Sequence, residues 1–483
     1  MTTSPEQLDT LVRTAQAAYP AWRDADATTR ALWLRAAADA LDAHLEELIG
    51  IADRETRLGA VRLRGEVART TGQLRLFAGV VEEGSFLELS VDDAVPGATP
   101  PTPDLRRMLV PLGVVAVFAA SNFPFAFSVA GGDTASALAA GNPVVVKAHS
   151  GHPELSRRTV ELVATALTAA GAPEGSLALV EGREAGNALV QHPLVRAAGF
   201  TGSIPGGRAL FDLAAARPEP IPFYGELGSL NPVVVTPAAA ARRATALAAG
   251  LVGSFTLGSG QYCTKPGLVF VPEGAGLEGE VAAAVRGAQA GPLLTERITA
   301  AFPDGVEALR ADPSVTVVAE GSATPEGVTP IVLATDAAAV AARAEILLEE
   351  VFGPVTVLVR YRDETELHTA LRAVPGSLTA TVHAEETDEI DGTLAVLREL
   401  AGRILFAGWP TGVVVTWSQH HGGPYPATTS LHTSVGATAI RRFLRPVVFQ
   451  DAPARALPAQ LHDDALARLP HRRNGVLRVP RTA

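Results

Sequence analysis

The order of apolar and polar positions changes character three times along the chain. From about Pro5 to Ala78 the sequence is Ala/Leu-rich with helical spacing. Leu32, Leu34, Leu41, Leu45 and Leu48 read as one face of an amphipathic helix. Pro96, Pro100, Pro101 and Pro103 then forbid a helix over 91–104 and predict a loop or edge excursion. Beyond it, short apolar runs alternate with helical patterns. Val114–Phe118, Val144–Lys147, Leu177–Val180 and Val195–Phe200 are expected strands; Gly132–Ala140, Pro153–Ala170, Glu184–Gln191 and Gly207–Ala216 are expected helices. Continuous apolar strands between helices mean a parallel sheet covered on both faces, with ligands at the carboxyl ends of its strands. A second alternating block runs from Glu226 to about Trp409, with strands at Pro232–Thr236, Gly267–Val271 and Val355–Val359. The stretch after Asp451 reads as an irregular surface tail.

Composition narrows this picture. A chain of 483 residues exceeds one ordinary core and implies two or three domains. Its 47% apolar and 19% charged residues are those of a globular protein, and its net charge of −11 argues against nucleic-acid or anionic-membrane partners. No apolar run reaches bilayer length, and the N-terminus lacks the basic and apolar regions of a signal peptide. One cysteine forms no intrachain disulfide, so a cytoplasmic location is expected. The only lysines, Lys147 and Lys265, stand out among 40 basic residues. Each is a candidate for a role needing a compact point charge, beside the plainer reading of chance survival on a solvated surface.

Three short segments carry candidate chemistry. Cys263 lies in the turn Gly258-Ser259-Gly260-Gln261-Tyr262-Cys263-Thr264, placed to present a nucleophilic sulfur, although a buried structural cysteine reads equally well. Glu226 sits between glycines in an apolar stretch. If buried, it should have the raised pKa of a general base; a capping or surface glutamate is the simpler alternative. Asn122, after the Val114–Phe118 strand, offers an amide to an oxyanion or else is a turn residue before Phe123-Pro124.

Taken in order, Ser121-Asn122-Phe123-Pro124, Val146-Lys147, Phe200-Thr201-Gly202-Ser203, Glu226-Leu227-Gly228, Gly260-Gln261-Tyr262-Cys263 and Glu350-Val351-Phe352-Gly353-Pro354 resemble the aldehyde dehydrogenase superfamily over roughly residues 10–450. The resemblance implies an α/β fold: a Rossmann-type cofactor domain (1–88 and 112–225), a bridging oligomerisation arm (89–111), a second α/β catalytic domain (226–427), and a segment returning to the cofactor domain (428–483). It implies a nucleophilic Cys263, an oxyanion held by Asn122, and a hydrolytic base in Glu226. An intact Glu226 argues for release of the acyl group by water rather than by CoA. For the cofactor it implies Lys147 at the adenosine ribose, Gly202 and Ser203 at the pyrophosphate, Glu350 at the nicotinamide ribose and Phe352 near the ring. Gly202-Ser203-Ile204-Pro205-Gly206-Gly207 is only a loose relative of G-x-G-x-x-G.

Many NAD-preferring relatives carry Glu where this chain has Ser150. Nothing there repels a 2′-phosphate, and Lys147, Ser150, His149 or Arg183 could bind it, so NADP or dual use is expected over strict NAD. The 120–141 and 421–429 segments resemble the subgroup that oxidises 2,5-dioxovalerate to 2-oxoglutarate, which also includes NADP-dependent fatty aldehyde enzymes. The expected partner is therefore a small aldehyde, in a homodimer or homotetramer. Lys265 is a candidate for a substrate carboxylate; Phe127, Tyr262, Trp417 and Tyr425 for an aldehyde tunnel; His421 for a cofactor or substrate contact. Each has a plainer reading as core or loop, and no metal ligands are assigned.

Overall fold

The computed structural model describes residues 2–410 and 412–480. Its first sheet is parallel, with strands in the order Leu177–Val180, Val144–Lys147, Val114–Phe118, Val195–Thr201 and Phe223–Glu226. All five residues of Val114–Phe118 are buried, because alternate side chains enter two different cores. Val115 and Val117 pack with Trp22, Leu34, Phe77 and Leu138. Val114, Ala116 and Phe118 pack with Leu8, Val12, Leu189 and Leu210.

The N-terminal pattern resolves into helices Pro5–Asp24, Ala27–Ala43, Leu45–Thr56 and Ala60–Glu83. Leu34, Leu41 and Leu48 are buried, but Leu32 is 54% exposed. Two residues along a helix are turned by about 200°, so Leu32 and Leu34 cannot share a face. The chain also breaks at His44, which splits the single expected face between two helices.

A seven-stranded sheet organises the second block, in the order Thr316–Glu320, Ile331–Asp336, Val355–Tyr361, Leu268–Pro272, Val233–Val235, Ser377–His383 and Ala401–Phe406. Its strands are parallel except Thr316–Glu320 at one edge.

The arm sheet corrects the expected C-terminal tail. Leu105–Pro111 pairs antiparallel with both Leu89–Asp92 and Leu444–Gln450. Leu89–Asp92 in turn takes His471–Arg473 in parallel, and that strand turns back into Val476–Arg478. Leu461 and Leu466 are buried against Leu89, Val91 and Met108. Strands of three residues, rich in Arg, carry no readable periodicity. No helix among the described residues is long and apolar enough to cross a membrane.

Candidate active site

The loop bearing Cys263 follows the helix Pro237–Phe255 and turns sharply through Gly258, Ser259 and Gly260, all at positive φ. At Gly260 any Cβ would lie 2.2 Å from the Gly353 carbonyl oxygen, so only glycine lets the two segments touch. Asn231 pins the far side: its amide donates to the carbonyl oxygens of Cys263 (2.8 Å) and Lys265 (3.0 Å), while its Oδ1 accepts from Thr379 and Ser229.

Opposite the sulfur stands a buried pair. Glu226 ends the last strand of the first sheet, and its Oε1 lies 2.9 Å from His421 Nε2. Ser434 donates to the other carboxylate oxygen at 2.7 Å. Cys263 Sγ is 3.5 Å from the same His421 nitrogen, and the sulfur, nitrogen and carboxylate lie within 4.8 Å of one another. An anionic oxygen is the strongest acceptor present, so Nε2 carries its proton toward Glu226; Nδ1 is buried without a partner among the described residues. Glu226 does not have the raised pKa expected of it. Burial pushes it up, but the His421 charge and the hydrogen bonds from His421, Ser434 and Cys263 together hold it below the usual carboxylate range. The Cys263 thiol moves the other way, well above its usual range, through burial and then the Glu226 charge. A proton on sulfur therefore has an ionised carboxylate beside it to receive it.

The helix Ala60–Glu83 closes the site with a stripe of polar residues absent from the sequence reading: Arg62, Glu66, Arg69 and Gln73. Their 4-3-4 spacing puts all four on one face, and this was the signal available. Arg62 donates to the Asn122 carbonyl (2.6 Å) and lies over the Phe123 and Tyr262 rings at 5.1 and 4.9 Å. Glu66 accepts from the backbone N–H groups of Phe125 and Ala126, fixing the turn after Asn122. Asn122 is 8% exposed and donates to the Gln261 carbonyl at 3.0 Å, which sets its amide against the nucleophile loop. Phe123, Phe127, Tyr262, Cys263, Arg69, Gln73 and Val413–Val415 line a cavity of about 590 Å³, within the size range of small-ligand sites.

Of the expected cofactor residues, Lys147, Ser150, Arg183, Gly202 and Ser203 gather at the carboxyl edge of the first sheet, whereas Glu350 and Phe352 precede the strand Val355–Tyr361 of the second. Lys147 ends its strand in register with Val180, and Arg183 opens the helix that follows the Val180 strand. Burial alone lowers the Lys147 pKa. His149 is pushed down to about 3 by burial and then His152, so it is neutral. Ser150 and Arg183 are exposed beside them. Ser203 caps the helix Ile204–Ala215, accepting from Gly206 N, which leaves an N-terminus suited to phosphate. A half-buried cation without an ion-pair partner among the described residues, an open helix N-terminus and flanking polar groups fit a dinucleotide.

Other candidates land elsewhere. Lys265 is 4% exposed and its Nζ donates to the carbonyls of Val351 (2.8 Å) and Val355 (2.9 Å). It lines a small separate cavity with Glu350 and Ser229, so it cannot meet a substrate carboxylate: one step along the loop from Thr264, the backbone turns its side chain into the core. Burial pushes Lys265 down and Glu350 up, and Ser229 N donates to Glu350 at 3.2 Å. Phe352 is half-buried. Tyr425 and Trp417 are 54% and 49% exposed and do not line the Cys263 cavity; they lie in a surface loop whose apolar residues the sequence cannot assign to a side.

A Rossmann-like sheet facing a second α/β domain, with cysteine, glutamate and asparagine converging between them, defines a thiol-dependent aldehyde oxidoreductase. Residues 1–424 match the Aldehyde dehydrogenase family, and the chain belongs to it. The family couples aldehyde oxidation to NAD(P). The chain is 47% identical to alpha-ketoglutaric semialdehyde dehydrogenase 2 of Azospirillum brasilense, across 95% of this chain and 90% of that one. It is 42% identical to alpha-ketoglutaric semialdehyde dehydrogenase of Acinetobacter baylyi, across 98% and 92%. In fold it resembles 1-pyrroline-5-carboxylate dehydrogenase from Thermus with bound NAD, at 23% identity and a TM-score of 0.79, covering 93% and 86%.

Proposed function

We propose that this enzyme oxidises 2,5-dioxovalerate to 2-oxoglutarate, with NADP preferred as hydride acceptor and NAD also used. The observation that carries this reading is the Cys263–His421–Glu226 cluster opening on a cavity that holds an arginine. The two relatives above 40% identity, both alpha-ketoglutaric semialdehyde dehydrogenases, support the substrate.

In this mechanism the Cys263 proton passes to Glu226 and the thiolate adds to the aldehyde carbon. As Glu226 takes the proton and becomes the weaker acceptor, the His421 Nε2–H, 3.5 Å from sulfur, turns from the carboxylate to the forming thiolate. Asn122 and the Cys263 backbone N–H hold the resulting oxyanion. The nicotinamide, when bound, supplies the hydride acceptor; Lys147, Ser150, Arg183, Gly202, Ser203, Glu350 and Phe352 are the residues that would hold the cofactor. Loss of hydride leaves a thioester on Cys263. Glu226, having released its first proton to solvent, takes a second from water as that water attacks. The C–S bond then breaks, giving the carboxylic acid and the thiolate.

Ser150 supports NADP, because no carboxylate stands at that point to repel a 2′-phosphate. The apolar lining by Phe123, Phe127 and Val413–Val415 favours, as a second reading, a general or fatty aldehyde dehydrogenase. We place the enzyme in the cytoplasm, since an accessible nucleophilic thiol needs a reducing compartment. The outer arm strands leave Val448, Val476 and Leu477 exposed, which supports a homodimer or homotetramer joined there.

The test compares kcat/KM for 2,5-dioxovalerate, succinic semialdehyde and hexanal, each with NAD and NADP. Preference for hexanal would transfer the assignment to the second reading. Cys263→Ala should abolish turnover with every substrate. Glu226→Gln should slow the burst of reduced cofactor, because the Cys263 proton loses its acceptor, and then stall before steady turnover, whereas an unchanged steady rate removes Glu226 as base.

A further inference from the structure

We propose that Arg69 and Gln73 form the anion subsite of this cavity, with Arg69 binding the substrate carboxylate and Gln73 the neighbouring 2-oxo oxygen. The proposal rests on the 2-oxo acid semialdehyde reading above. The two residues are four apart on the helix Ala60–Glu83, so they project from one face, and both line the cavity that holds Cys263.

Part of their hydrogen-bonding capacity is unspent. Arg69 Nε donates to the Val413 carbonyl at 3.1 Å, which fixes the plane of the guanidinium. Its Nη1 and Nη2 are buried and have no partner among the described residues, and neither has Gln73 Nε2. A buried guanidinium without an anion is costly; burial lowers the Arg69 pKa and the nearby Glu66 charge offsets this only in part, with no ion pair joining the two among the described residues. Glu66 Oε1 is engaged by two backbone N–H groups. The arrangement is a fork of donors left open for a planar, two-oxygen anion, the geometry in which Arg surpasses Lys.

The walls match the rest of such a ligand. Phe127, whose ring centroid is 5.2 Å from the Arg69 guanidinium carbon, and the Val413–Val415 stretch suit a short methylene chain. They also shield the guanidinium from water, so a small shift of the Arg69 end into the cavity accompanies carboxylate binding, and the ion pair forms at low dielectric. A carboxylate anchored on this face directs the distal aldehyde carbon of a five-carbon chain toward Cys263.

The experiment measures, for wild type, Arg69→Met and Gln73→Leu, the ratio of kcat/KM for 2,5-dioxovalerate to that for pentanal. A second ratio uses 5-oxopentanoate, which lacks the 2-oxo group. Arg69→Met should lower the first ratio on the order of 100-fold. Gln73→Leu should lower the rate with 2,5-dioxovalerate about tenfold more than with 5-oxopentanoate. Thermal shift by 2-oxoglutarate should be present in wild type and lost in Arg69→Met. Arg69→Lys, which keeps the charge, serves if Arg69→Met does not fold, and should lower the first ratio by about tenfold. Parallel loss with both aldehydes, or unchanged ratios in an enzyme that prefers 2,5-dioxovalerate, overturns the subsite and leaves the substrate assignment standing. A wild type without that preference removes both.

Discussion

His421 Nε2 and Glu226 Oε1 are 2.9 Å apart, with the histidine fully buried and the glutamate 2% exposed. This contact gives the largest contribution that holds the Glu226 pKa down against burial. Without His421, burial would dominate and the Glu226 pKa would rise. His421→Gln should therefore move the acid limb of the kcat/KM–pH profile to higher pH, because the carboxylate would ionise later. The rate of the cofactor burst should fall by about 10²-fold. An unmoved acid limb would show that the pair does not set the base.

Asn122 holds the Cys263 loop by donating to the Gln261 carbonyl, and the proposed mechanism gives it the oxyanion. Asn122→Ala should lower kcat by roughly 10²–10³ while thermal stability falls only slightly, by about 1 kcal/mol for one lost hydrogen bond. A large stability loss with modest kinetic change would make the residue structural.

The proposed NADP preference rests on one exposed residue, Ser150. Ser150→Glu should raise KM for NADP at least about tenfold, the effect of one added like charge near a phosphate, and change KM for NAD far less. Equal effects on both cofactors would place residue 150 away from the 2′-position.

Acid should destabilise the fold through His383. This residue is 1% exposed, its ring nitrogens have no partners among the described residues, and its ring lies 4.6 Å from Trp409. Burial lowers its pKa from 6.5 to about 4. Between those values the unfolded chain binds the proton and the folded chain does not, so stability falls as pH drops through that window. The loss attributable to His383 is on the order of 3 kcal/mol. His149 contributes with the same sign. Urea midpoints at pH 7 and 4.5 should differ less in His383→Phe than in wild type; an equal difference would exclude His383 as the cause.

The sequence alone determined the parallel-sheet class and most strands of the first sheet, and its motifs pointed to Cys263, Glu226 and Asn122 as candidates. These were legible because apolar runs and short glycine-bounded motifs are local in the chain. Tertiary structure decided what depends on distant segments meeting. It brought His421 and Ser434 onto Glu226 across about two hundred residues, and so lowered a pKa that burial alone would have raised. It turned Lys265 into the core and Arg69 into the cavity beside Cys263. It also folded the C-terminal stretch into the arm. Periodicity reports which face of an element is buried; which charge meets which pocket depends on contacts that close only when the domains pack.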